Sequence, residues 1–166
     1  MVDSISRSVY RSYEAFADFS GARGIHFEPI LLSTFTRTVG IILYASAPSA
    51  LDLRQMTREF WDFLLSLRSV SNDPSVTESI LFGLLVIFEI TDPRPAAENF
   101  PKQVVETQSW TSEIFPRLDD GGKSKMLAGA VLLKVQEIIT KHERLLWGTV
   151  ISAGSISSAP LGLNFR

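Results

Sequence analysis

Two stretches with helical periodicity line up with each other 46 residues apart, and this offset constrains the fold more than any other feature. Asp73-Pro74-Ser75-Val76 leads into Ile80-Leu81-Phe82-Gly83-Leu84-Leu85, and Asp119-Asp120 leads into Met126-Leu127-Ala128-Gly129-Ala130-Val131. An Asp, a Leu and a mid-helix Gly recur at one spacing: 73 to 119, 81 to 127 and 83 to 129. A short helical unit cannot bury its apolar face alone, so helices recurring at a period in the forties point to stacked pairs. Such stacks form extended binding surfaces. The alternative is two unrelated helices that share Leu and Gly by chance.

The rest of the chain is punctuated as helices and short turns, and no segment keeps a strand-like alternation for long. Residues 4–19 place Ile5, Val9, Tyr13 and Phe16 on one seam before Ser20-Gly21-Ala22-Arg23-Gly24 breaks it. A second helix is expected over 29–47, with Pro29 in its first turn and Pro48 as its stop. Its core candidates are Ile30, Leu31, Phe35, Val39, Ile42 and Leu43. Ser49 is expected to cap a third helix through Arg68, with Asp52 as a capping-box-like acid. Its seam is Leu53, Met56, Phe60, Leu64 and Leu67, and Arg54, Arg58 and Asp62 mark the wet face.

Asp73-Pro74 then gives an N-cap followed by the proline suited to a first helical position. That helix is expected to reach about Thr91, where Asp92-Pro93-Arg94-Pro95 ends it. The next spans 101–118, anchored by Val104, Trp110, Ile114 and Phe115, with Pro116 disturbing its last turn. After Asp119-Asp120-Gly121-Gly122 a long helix runs to about Trp147. The fold class is therefore all-α, a HEAT/armadillo-like α-solenoid of antiparallel helix pairs. Residues 1–24 read as an N-terminal helix and linker, 25–148 as the helical-repeat domain, and 149–166 as a flexible tail. Each repeated Asp would cap the second helix of its pair, and Gly83 and Gly129 would admit a close neighbour.

Composition narrows the function classes. The chain has 166 residues, no cysteine and a net charge of −2. Disulfides and thiolate chemistry are thus excluded, and no global basic field attracts nucleic acid or an anionic membrane. Residues 1–20 lack the apolar core of a secretory signal, and the apolar run 80–88 is under half a membrane span. A soluble, intracellular protein is expected.

Motifs for catalysis are thin. Gly121-Gly122-Lys123-Ser124 resembles the end of a phosphate loop, but Arg117 stands where the first glycine belongs and a helix, not a strand, precedes it. His142 falls within the apolar arc of Leu127, Val131, Val135, Ile138, Ile139 and Leu146, as a hydrogen-bonded interhelical histidine would. His26 sits beside Phe27 and Glu28 with no partner residue at a metal-like spacing. No cofactor is expected.

Two surfaces are candidates for binding. Glu78 and Glu89 are eleven residues apart and return to nearly one helical angle, with Phe82 and Leu85 between them. This stripe either displays Phe82 and Leu85 to a partner or is buried by the next repeat, with glutamates at its ends. Lys123, Lys125, Lys134, Lys141 and Arg144 give the last helix a basic side, diluted by Glu137 and Glu143. A solvated face explains it, and so does an acidic protein partner. The interaction candidates are Phe82, Leu85, Lys123, Lys125, Lys141 and Arg144.

An ordered set of motifs carries a family resemblance. It comprises Leu31-Leu32-Ser33-Thr34-Phe35 with Gly40-Ile41-Ile42-Leu43-Tyr44-Ala45, and the run from Gln55-Met56-Thr57-Arg58-Glu59-Phe60-Trp61-Asp62 to Arg68. It continues with Glu106-Thr107-Gln108-Ser109-Trp110, Leu127-Ala128-Gly129-Ala130-Val131-Leu132 and His142-Glu143-Arg144-Leu145-Leu146-Trp147-Gly148. Residues 29–148 thereby resemble the conserved C-terminal region of the telomere length regulation protein family, most of all its fungal members.

The resemblance implies a non-enzymatic helical scaffold. Family members join other helical-repeat subunits in a co-chaperone assembly. Together with chaperone machinery, that assembly promotes maturation and stability of phosphatidylinositol-3-kinase-related kinases (PIKKs). Telomere maintenance and DNA-damage signalling, in cytoplasm and nucleus, would follow. The family name also invites a telomeric nucleic-acid-binding module, against which the acidic balance argues. The family's large N-terminal solenoid and its acidic, serine-rich linker are not in this sequence.

Overall fold

The computed structural model describes residues 29–49, 52–69 and 72–152. These are all-helical: 89% lies in helix, and there is no strand among the described residues. The helices are α1 (Pro29–Ser46), α2 (Leu53–Leu67), α3 (Pro74–Ile90), α4 (Pro93–Asn99), α5 (Pro101–Ile114) and α6 (Lys123–Ser152). The seam expected over residues 4–19, and His26, lie outside the described residues.

The helices form two rows. In the first, α1, α3 and α6 lie side by side. They run parallel. Ser33 and Ser79 share a hydrogen bond of 2.6 Å, and further along Gly40 faces the Phe82 ring. On the other side of α3, Glu78 pairs with Lys123 at 2.9 Å and Glu89 with Lys134 at 3.7 Å. Both steps are eleven residues long, so α3 and α6 keep register over three turns.

The second row is α2 beside α5. The indole N–H of Trp61 donates to the Thr107 hydroxyl at 2.9 Å, and the Gln103 amide donates to Asp62 at 2.9 Å. Arg68 meets Glu106 at 3.1 Å. Trp61 is fully buried and packs edge-on to Phe88, with ring centroids 5.4 Å apart, which ties the second row to the first. The core lies between the rows, built from Phe60, Leu64, Ile80, Leu84, Ile87, Val104, Val131 and Val135 among others.

Several boundaries differ from the sequence expectation. Ser49 does not cap α2; it closes a 3-10 turn over Ala47–Ser49, and the helix starts at Leu53. Asp52 occupies the N-cap position itself without a side-chain cap bond. The prolines after Thr91 were expected to end a helix, but they also begin one. Pro93 and Pro95 fall in the first turn of α4, where a missing N–H leaves no intrahelical bond unmade. Helix α4 turns away from α3 at 108°, and its fully buried Ala96 and Ala97 join the core.

Helix α5 stops at Ile114, and Pro116 shapes a 3-10 turn over Phe115–Arg117. Helix α6 continues to Ser152, so residues 149–152, expected in a flexible tail, are helical. No proline follows Trp147 before Pro160, and Val150-Ile151 keeps the sequence apolar past it.

In α1 the expected core is partly inverted. Leu43 is buried, but Ile30 and Leu31 are exposed, while Leu32, Ser33, Thr36 and Gly40 are covered. The reason is polar: the Ser33–Ser79 bond and the Arg37–Glu78 ion pair fix which side of α1 meets α3. By length and composition α1 could also cross a membrane, with mean hydropathy 1.2, though 39% of it is buried within this array.

Candidate interaction surface

The stripe on α3 belongs to the inside of the first row. Glu78 sits between α1 and α6, paired with Arg37 on one side and Lys123 on the other. Those cations, Lys123 first, hold its carboxyl below the usual 4.5 against the opposing effect of burial. Phe82 and Leu85 are half-buried. The Phe82 ring faces Gly40 of α1, where an added Cβ would meet it at 3.7 Å, and Leu85 packs against the core. Glu89 closes the stripe as the exposed partner of Lys134.

The basic side of α6 divides into two clusters. Lys123 and Lys125 stand on its first turn, and Lys141 and Arg144 lie about 27 Å further along at 1.5 Å per residue. Lys123 serves the Glu78 bridge. Lys125 pairs with Asp120 and lies over the Phe115 ring, 5.2 Å from its centroid. Lys141 pairs with Glu137 one turn earlier at 2.6 Å. Arg144 is exposed and makes no ion pair among the described residues. The lysines thus engage acids of their own chain, which a count of charges along the sequence does not reveal.

His142 interrupts α6. Its backbone leaves the helical region (φ −131°, ψ 28°), so the apolar arc that contained it is kinked there. The residues before it, Val131, Val135 and Ile138, are buried, as is Leu146 after it. Among the described residues no three His, Asp or Glu side chains converge on a site that could hold a metal ion. The phosphate-loop resemblance has a plain geometry: Lys123 and Ser124 are the first residues of α6, and the Gly122 carbonyl accepts the Met126 N–H at 3.2 Å.

Sequence reasoning missed the exposed apolar residues of α1: Ile30, Leu31, Ile41 and Tyr44. The signal was present, because α1 is apolar around most of its circumference, more than a one-sided helix requires. Met126 and Leu133 of α6 are likewise exposed, at the opposite edge of the row.

No protein-family model matches the chain, and no solved structure matches it. Among curated proteins it is similar to the DNA replication checkpoint protein tel2 of Schizosaccharomyces pombe, 31% identical over 136 residues. The alignment covers 81% of this chain, and the chain spans about 15% of that relative's length. The relative is a member of the telomere length regulation family. Over four-fifths of its own length, the chain is thus homologous to a member of the telomere length regulation protein family.

Proposed function

We propose that the chain is a non-enzymatic protein-interaction scaffold, a HEAT/armadillo-like α-solenoid module with a role in telomere maintenance and checkpoint signalling. It corresponds in this reading to the C-terminal part of a co-chaperone subunit. That subunit joins other helical-repeat subunits and chaperone machinery to promote maturation and stability of PIKKs, in cytoplasm and nucleus. The observation that carries the role is the similarity to the checkpoint protein tel2.

The solenoid form is supported by the regular offset between touching residues. Ser33 with Ser79 and Trp61 with Thr107 are each 46 apart, and Glu78 with Lys123 and Glu89 with Lys134 are 45 apart. A stack of similar units places each helix against its counterpart one unit away, which is what a near-constant offset expresses.

The mechanism is docking: stacked pairs hold a rigid ridge to which a partner binds by shape and charge. Affinity purification of the tagged chain from its source cell, with partners identified, is expected to recover helical-repeat subunits and PIKKs. Recovery of neither overturns the reading. Reversing Lys125, Lys141 and Arg144 together should weaken that recovery in a salt-dependent way. Undiminished recovery at physiological salt moves the contact to another face. Nucleic-acid binding is the competing reading, and the pairing of Lys123, Lys134 and Lys141 with glutamates leaves it little basic surface. A gel shift that persists near physiological salt would favour it.

A further inference from the structure

The face of α2 that the sequence marks as wet, with Arg54, Arg58 and Asp62, carries charge that the fold leaves uncompensated. Arg54, Arg58 and Arg144 make no ion pair among the described residues. The other lysines and arginines there each pair with an acid of the same chain. Arg144 is a single cation beside Glu143, whereas Arg54 and Arg58 stand one turn apart, about 6 Å along α2. Together with Asp52 and Gln55 they line one open cleft of about 350 Å³.

The acids near this cleft are engaged elsewhere. The Gln55 amide donates to the Glu59 carboxylate, the Gln103 amide donates to Asp62 at 2.9 Å, and Glu98 pairs with Arg94 at 2.8 Å. Asp52 is the one acid of the lining, and two guanidinium groups outnumber it. Arg58 is also held from behind. It donates to the Asn99 carbonyl at 3.2 Å and lies over the Phe100 ring, 5.8 Å from its centroid. A carbonyl neutralises no charge, and a guanidinium has five N–H donors, so this contact leaves donors for another acceptor. The buried ring beneath it restrains the planar fork, which lowers the ordering cost of binding.

We infer that Arg54 and Arg58 form a docking site for an acidic segment of a partner protein. One carboxylate bonds to the restrained Arg58 fork, and Arg54 supplies the second cation. Two cations in one cleft match a short run of carboxylates. A nucleic-acid strand calls for a longer basic track with aromatic platforms. The inference rests on the scaffold reading above and adds to it a localised contact on the second row of helices.

Fluorescence anisotropy of a labelled hexaglutamate peptide, titrated with the full chain at low ionic strength, tests the site. Arg54→Gln with Arg58→Gln should weaken binding at least about tenfold. Lys102→Gln with Arg117→Gln also removes two positive charges, but both are paired with glutamates, and binding should change less than about twofold. Arg58→Lys keeps the charge and loses the fork, and should weaken binding about fivefold. Arg54 is exposed, so Arg54→Gln alone keeps the test open if the double variant does not fold; it should weaken binding about threefold. Asp52 makes no side-chain cap bond, so Asp52→Asn breaks no cap, and it should tighten binding about threefold.

No binding by the parent chain overturns the proposal, and so does equal loss in the arginine variant and the paired-cation control. A single-stranded oligonucleotide that binds through the same arginines more tightly than the peptide overturns the choice of an acidic protein. Failure of the peptide to bind, with helical-repeat subunits and PIKKs still recovered by affinity purification, removes this inference and leaves the scaffold reading standing. Peptide binding that depends on Arg54 and Arg58, with no such partner recovered, does the reverse.

Discussion

Helices α3 and α6 are preceded and punctuated by the same residues 46 apart, yet the two copies use them differently. Asp73 stands at the N-cap of α3, where its carboxylate accepts the Ser75 N–H at 2.9 Å. Asp119 lies four residues before Lys123, and its contribution is a backbone carbonyl that accepts the Gly122 N–H at 3.0 Å. The expectation that both aspartates cap their helices therefore holds for one of them. The cause is the connection. Eight residues join α5 to α6, against six between α2 and α3, and the glycine pair within it starts the helix later. Gly121 takes φ +78°, a conformation that favours glycine.

The glycines diverge in the same way. At Gly83 an added Cβ would meet both Leu64 methyls within 2.9 Å and Phe60 at 3.2 Å, whereas Gly129 has ordinary contact distance to Phe115. A matched residue marks an equivalent place along the chain, but its role depends on how near the partner helix comes.

That contrast can be broken at several points. Substituting Gly83→Ala should lower stability by roughly 1 kcal/mol. Overpacking a filled core costs about 1–3 kcal/mol, and the better helix propensity of alanine returns up to about 1. Gly129→Ala should instead gain about 0.5–1 kcal/mol from propensity alone. Urea unfolding of the two variants compares them, and shifts of the same sign would erase the distinction.

The bridge from Glu78 to α1 and α6 is a weaker contribution. Its depressed pKa stabilises the fold above the unfolded value and is lost as pH falls through the folded one. The window thus lies below about pH 4.5. Glu78→Gln should cost up to about 1 kcal/mol at neutral pH and low salt, and less in concentrated salt. It should also flatten the acid limb of the stability curve. Coincident curves for variant and parent below that pH would show that the bridge adds nothing.

The smallest effect is expected at the caps. The Ser75 hydroxyl, and after it the Ser75 backbone N–H, lower the Asp73 pKa. Asp73→Ala should fray the first turn of α3 and lower Tm slightly, while Asp119→Ala leaves it unchanged. Circular-dichroism melts of both variants decide it; equal loss would make Asp119 a cap after all.

Much of the helical layout was legible because periodicity and turn chemistry are local. Asp73-Pro74 marks the start of α3 correctly, and Pro29 and Pro101 mark α1 and α5. Short α4 escaped notice because two prolines read as a stop, although the first turn of a helix tolerates both. The interaction candidates were legible as residue types on helical faces. Their surroundings were not: Lys123 looks free along its own helix, and the acid it meets lies 45 residues away.

The inner face of α1 shows the same limit, since Ile30 and Leu31 are more apolar than the Ser33 and Thr36 that take the buried places. What the sequence by itself determined is most of the helices, the proline-marked starts among them, and a period that implies stacking, all of which follow from interactions within a few residues. The seam of α2 was legible, with Phe60, Leu64 and Leu67 buried as expected, but tertiary structure alone decided which face of α1 is inside. Burial depends on which neighbour arrives and how closely: Leu64 against Gly83 in one pair, and an exposed Ile41 where α3 carries a buried Ile87.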